Sequence, residues 1–148
     1  MGKMQKTKGY EREREFANAI GGRRIPLSGA MRRAAEGLAG DVEALGLRWE
    51  VKARKSGFKA LYDWLQPDYV DALAIRADGK QWLVVQTLDQ FMAQRGFRKY
   101  AVSYRSGKKT RREIFYAKDD SEAERIASER HGDKPGFEII PLHGGEKR

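Results

Sequence analysis

Apolar side chains recur at two different spacings along this chain, and the points where the spacing changes divide it into elements. Phe16, Ala17 and Ile20 share one stripe of a 3.6-residue period while Arg12, Arg14 and Glu15 fall elsewhere. That predicts a helix from about Lys8 to Ile20, stopped by Gly21-Gly22. "RRIPLSG" reads as a short strand running into an irregular loop rich in glycine and arginine. At Val42 the period drops to two. Val42 and Ala44, then Trp49, Val51 and Ala53, alternate with polar neighbours and predict a hairpin. Its turn lies near Leu45 to Arg48, through two residues at Leu45-Gly46 or through four.

Further on, "FKALYDWLQP" predicts a short helix stopped before Pro67. "DALAIRADGKQWLVV" sets Asp78-Gly79 between two β-rich runs, the preferred dipeptide of a tight type I′ hairpin. Thr87 and Gln90 form a capping box for a helix to about Arg95, with Gly96 as its stop. The last third predicts a hairpin from "YAVSYR" and "REIFYA" around Ser106-Gly107, then a helix boxed by Ser121 and Glu124 with Ala123, Ile126 and Ala127 inward. A strand at "FEIIPL" follows. The expected class is α/β, a mixed central β-sheet flanked by helices, with a C-terminal strand-strand-helix-strand extension. A core over 1–95 and a basic extension over 96–148 packed on it are the expected domains.

Composition sharpens this picture in two ways. With 30 Lys and Arg against 21 Asp and Glu, the 148 residues carry a net charge of +9, which favours a polyanionic partner, nucleic acid first. The 40% hydrophobic content is that of a folded globule, so the charge decorates a core instead of marking a disordered tail. The absence of cysteine excludes thiolate catalysis, disulfides and Cys-based zinc sites. No apolar run approaches the ~18 residues of a membrane span, and the first fifteen residues hold no apolar signal core. A cytoplasmic protein with no membrane partner is expected.

The hairpin holds the candidate chemistry. Glu50 and Lys52, two apart in an extended segment, project to one side. A two-residue turn sets Asp41 opposite Glu50, and a four-residue turn sets it opposite Lys52; either way the three share a face. Two carboxylates at such range repel unless a cation sits between them, and hard oxygen donors suit Mg²⁺, with Mn²⁺ as a substitute. A lysine beside them can orient a water or neutralise charge on a phosphorane-like transition state. Glu13, three, four and seven residues before Phe16, Ala17 and Ile20, lies on the apolar stripe and needs a partner, which a metal site at the sheet edge would supply. Any one of these features is common as a surface ion pair or turn residue; together they point to a metal-dependent phosphodiesterase.

The same residues resemble the PD-(D/E)xK nuclease superfamily, and within it the archaeal-type Holliday junction resolvases with their phage relatives. "KGYEREREF" is similar to the family's first helix, with Lys8-Gly9 and its glutamate at Glu13; "RRIPLSG" matches its Arg-to-Ser strand and loop at Arg24 and Ser28. "GDVEA" and "WEVKARK" match the Asp strand and the E-x-K strand. The resemblance implies a restriction-endonuclease-like core, with Asp41, Glu50 and the Val51 carbonyl binding Mg²⁺, Lys52 as catalytic lysine and Glu13 assisting metal or water. Ser28 would sit on a mobile loop at the cleaved backbone. It further implies cleavage of four-way DNA junctions, leaving 5′-phosphate and 3′-hydroxyl ends. The two-fold symmetry of a junction then asks for a homodimer. The likeness covers the first 55 residues or so and continues loosely to about Met92. Gly40 stands where the family has proline, a position that only shapes the turn, and the Ser28 to Asp41 loop is longer. Those loop changes bear on substrate choice, leaving another nuclease of the superfamily, acting on flaps, ends or replication intermediates, or a non-catalytic DNA-binding protein, as rivals.

Basic residues supply the expected DNA contacts. Arg23, Arg24, Arg32 and Arg33 bracket Ser28 and could grip phosphates beside the scissile one; Lys8, Arg54, Lys55 and Lys59 have similar standing. "RGFRKYAVSYRSGKKTRR" holds eight basic residues and no acidic one, so Arg105, Lys108, Lys109, Arg111 and Arg112 are expected to track a DNA backbone. Phe58 and Tyr62, at helical spacing, read as core or dimer interface in preference to base-stacking residues.

Overall fold

The computed structural model describes residues 2–25, 40–65 and 70–142, with the side chains of the first helix described from Gly9 onward. Ser28, Arg32 and Arg33, and the side chain of Lys8, lie outside the described residues. The class is α/β: among the described residues there are four helices and three small sheets in which every strand pairing described is antiparallel. Among the described residues the strands are not joined into one central mixed sheet, because each pairs with a neighbour reached by a hairpin or a short excursion. Two compact units result, residues 1–53 with 113–116, and residues 54–112 with 117–148.

In the first unit, helix α1 (Gly2–Ala19) begins well before the expected Lys8, since Lys, Gln and Met ahead of it are good helix formers. Two glycines end it for two different reasons. Gly21, at φ 66, takes the left-handed turn that lets the Gly22 N–H donate to the Ala17 carbonyl at 2.7 Å, closing the helix end. Gly22 lies so close to the next sheet that a Cβ there would come within 2.7 Å of Ala44 Cβ.

That sheet is β1 (Arg23–Arg24), β2 (Val42–Ala44) and β3 (Leu47–Trp49), in the order β1-β2-β3. Pairing of Ala44 with Leu47 and Val42 with Trp49 selects the two-residue turn, in which Leu45 (φ 56) and Gly46 (φ 72) both adopt left-handed backbone. That is the dihedral pattern of a type I′ hairpin, here with leucine at a position glycine or asparagine normally takes. Val42 and Ala44 are buried and, with Ile25, Ala17 and Ile20, form this unit's core. Trp49, opposite Val42, meets Phe16 of α1 edge to face at 5.4 Å and donates its indole N–H to the Ala44 carbonyl at 3.1 Å.

In the second unit, α2 (Lys59–Trp64) leaves Tyr62 exposed, which removes the core half of its reading as core or dimer interface; a six-residue helix offers few positions that a core can cover. Strands β4 (Leu73–Ile75) and β5 (Leu83–Val85) form a hairpin whose connection is longer than the tight turn expected. Only Gly79 (φ 69) is left-handed, and Lys80 N–H donates to the Ala77 carbonyl, so Asp78-Gly79 makes the central pair of a local turn inside a wider loop. Helix α3 (Leu88–Ala93) carries the expected capping box, with Gln90 N–H on Thr87 Oγ1 and Gln90 Oε1 accepting from Thr87 N–H. The last sheet runs β7 (Lys109–Ala117, of which 113–116 are grouped with the first unit), β6 (Arg98–Ser106), β8 (Glu138–Leu142), and α4 (Asp120–His131) packs on β6 and β8 through Ala123 and Ala127, both fully buried. Its cap is Asp119, two residues ahead of the expected Ser121. Asp119 accepts from Glu122 N–H while Glu122 reaches back to Lys118 N–H, and an aspartate cap gains from the helix dipole as serine does not.

Candidate metal centre

The site is built at the open end of the β2–β3 hairpin. Extending the pairing of Val42 with Trp49 by one residue sets Asp41 beside Glu50. Asp41 then bonds to the chain on both sides of that glutamate: its N–H donates to the Trp49 carbonyl at 2.6 Å, and its Oδ2 accepts the Val51 N–H at 2.8 Å. Its own carbonyl accepts from Ile25 N–H at 2.9 Å, which ties the residue to the β1 side as well. Asp41 is 9% exposed, a buried ionisable residue held by two main-chain bonds and one side-chain bond.

These bonds explain a departure from the sequence reading. Glu50, Val51 and Lys52 do not continue β3, which ends at Trp49. A side-chain oxygen of Asp41 occupies the place a backbone carbonyl would take in a regular ladder, so the strand pairing stops there. Glu50 and Lys52 nevertheless stay on one side, because Lys52 Nζ donates to Glu50 Oε1. Both are more than half exposed, at 56% and 58%. An ion pair in that setting contributes about 0–1 kcal/mol, so it yields readily to a stronger ligand.

Glu13 has a different partner from the one expected. Its carboxylate accepts a 2.5 Å bond from Arg24 Nε, with only 18% and 30% of the two side chains exposed, and the Arg24 guanidinium lies 4.3 Å from the Tyr10 ring centre. Arg24 pairs across from Val42, so it faces α1, and the cation that satisfies Glu13 comes from β1. Arg23, one residue earlier, points the other way to Glu43 at 2.7 Å, with Arg48 across from Glu43 on β3. The Arg23 hydrogen bond and charge hold the Glu43 carboxyl below the usual carboxylate range.

The donor set therefore differs from three converging acids. Among the described residues no three acidic or histidine side chains gather as a ligand group. Two carboxylates, Asp41 and Glu50, and the Val51 carbonyl beside them remain as hard oxygen donors, the chemistry that Mg²⁺ prefers when it retains several waters. The chemistry of that pair suits the ion; the Glu13 carboxylate is engaged by Arg24. Of the remaining expected DNA contacts, Arg54, Lys55 and Lys59 are exposed, and Lys59 pairs with Asp63. The Arg24–Glu13 pair is the contact that sequence reasoning missed, although the tight Gly21-Gly22 turn is a signal that β1 must return along α1.

Gly40 has a stricter role than shaping a turn. Its φ of 96 lies far from the roughly −65° to which proline is locked, and a Cβ there would approach the Trp49 carbonyl oxygen to 3.2 Å. Gly40→Pro is expected to break the Asp41 bonds to Trp49 and Val51 and lower the thermal midpoint, while Gly40→Ala costs about 1–3 kcal/mol. Thermal unfolding of both variants checks this; an unchanged midpoint for the proline variant would contradict it.

The known protein families, the curated proteins and the solved structures contain no match to this chain. Among the described residues no helix is long and apolar enough to cross a membrane.

Proposed function

We propose that this chain is a Mg²⁺-dependent endonuclease of PD-(D/E)xK type, with a restriction-endonuclease-like core, that cuts four-way DNA junctions as a homodimer. One observation carries the reading: the Asp41 carboxylate is bonded to the middle residue of Glu50-Val51-Lys52, which brings together in space the two parts of a motif that the sequence separates by eight residues. A structural role alone, ending a two-stranded ladder, is served as well by serine or asparagine. An aspartate offers in addition a charged oxygen ligand next to a second carboxylate, which neither serine nor asparagine supplies.

In this reading Asp41, Glu50 and the Val51 carbonyl hold the ion. When bound, Mg²⁺ would activate a water and neutralise charge on the phosphate. The fixed Asp41 supplies a rigid ligand, and exposed Glu50 supplies an adaptable one. Lys52, released from its weak pair with Glu50, places its ammonium at the phosphate, where negative charge grows during in-line attack. Glu13 positions Arg24 and is not a ligand. The net charge of +9 draws the polyanionic substrate.

Labelled four-way junctions, flaps and plain duplex, incubated with Mg²⁺ at one salt concentration, test this. Paired symmetric nicks near the junction branch, with duplex left largely intact, are expected. Equal cutting of duplex and junction would remove the junction assignment, and preferential cutting of flaps would replace it.

A further inference from the structure

The strongest charge on the described surface lies in the second unit, at the tip of the β6–β7 hairpin. From Arg105 to Arg112 five of eight residues are basic and none is acidic, and every one of them is exposed. Arg105, Lys108, Lys109, Arg111 and Arg112 make no ion pair among the described residues, in contrast to Lys99 further down β6, which is held 2.8 Å from Asp89. Strand β8 pairs only with Lys99 to Ser103, so the end of β6 and the start of β7 run on past it as a two-stranded ribbon closed at Gly107 (φ 63). The Arg105 N–H, donating to the Pro135 carbonyl at 2.8 Å, anchors the base of that ribbon.

We infer that this ribbon is a duplex-DNA anchor that enters the major groove and binds the phosphates on both walls without reading sequence. Tyr104 to Ser106, the three residues of β6 past its last pair with β8, give a projection of ~10 Å at ~3.4 Å each. The major groove is ~8.5 Å deep and ~12 Å wide, and it admits a two-stranded ribbon. Strand alternation sends Lys109 and Arg111 to one face of the ribbon and Arg112 to the other, so cations face both groove walls. The composition argues against other polyanions. No aromatic residue lies between Arg105 and Arg112 to stack on unpaired bases, and Tyr104 just before them is stacked on His131 at 4.1 Å. No apolar side chain stands beside the cations to enter a lipid surface, and the A-form major groove of RNA is too narrow for the ribbon.

The anchor shares with the proposed nuclease only its class of partner, and it is tested without cleavage. Binding of a labelled ~30-base-pair DNA duplex is followed by anisotropy in EDTA over a range of salt concentrations. The triple variant K109Q/R111Q/R112Q is compared with K80Q/K118Q/R125Q, which removes the same charge from exposed positions elsewhere. Three lost phosphate contacts lower the slope of log K against log salt by about 2.7 and weaken binding roughly a hundredfold at ~0.1 M salt, and the control triple leaves the slope near that of the parent. Equal losses in the two triples would overturn the inference, as would a loss equally large for single-stranded DNA, duplex RNA or anionic vesicles. Either failure leaves the Asp41–Glu50 site unaffected, since no metal is present.

Discussion

Asp41→Asn and Glu50→Gln, each nearly isosteric and each removing one negative charge, are expected to lower Mg²⁺-dependent cleavage by roughly three orders of magnitude, as losing several kcal/mol of metal-assisted stabilisation requires. The asparagine variant is the more informative. Its side-chain oxygen can still accept the Val51 N–H, so the hairpin end stays closed and the thermal midpoint should hold. Asp41→Ala, in contrast, leaves that N–H without its acceptor at a buried position and costs about 1–3 kcal/mol, a sizeable part of the ~5–15 kcal/mol that holds a typical domain folded. Cleavage rates and melting curves on the same three proteins separate ligand from strut. If Asp41→Asn cuts junctions at the parent rate, Asp41 serves the fold alone.

Lys52→Met is expected to reduce cleavage by about 10²–10³-fold while leaving metal binding and stability in place. Stability is insensitive because the Lys52–Glu50 pair is more than half exposed on both sides, where such pairs contribute little. Metal binding is retained or strengthened, because removing an ammonium next to Glu50 takes away a competitor for its carboxylate. The split between retained metal affinity and lost rate distinguishes a catalytic lysine from a surface ion pair. Parent-level cleavage by this variant would reduce Lys52 to the latter.

The local elements were legible where one short signal acts alone. Period-two alternation at Val42 and Ala44, the Thr87–Gln90 box and the Gly21-Gly22 stop all depend on neighbours a few residues away, and the structure has them. What sequence could not resolve was competition between partners. Two turn lengths satisfied the same alternation around Leu45-Gly46, and only the packing of Trp49 against Phe16 and the Ala44 carbonyl accompanies the shorter one. The cap of α4 is Asp119 where the Ser121–Glu124 spacing predicts Ser121, with Glu122 reaching back to Lys118.

At the candidate site the sequence pattern places Asp41 near Glu50, and the local backbone differs from the strand it predicts. Asp41 beside Glu50 follows from register. The end of β3 at Trp49 does not, because it depends on a side chain displacing a backbone carbonyl. Glu13 was correctly marked as a carboxylate in need of a partner; that the partner is Arg24, eleven residues away, follows only once α1 has turned back at Gly21 and Gly22.

The claim that Asp41 and Glu50 share one divalent cation is tested most directly by titrating Mn²⁺ into the protein and following the EPR signal of the free ion. One Mn²⁺ per chain should be taken up, displaced by Mg²⁺, lost in both Asp41→Asn and Glu50→Gln, and retained in Glu13→Gln. Uptake that is unchanged by Asp41→Asn, or that disappears only with Glu13→Gln, would place the ion elsewhere and contradict the site described.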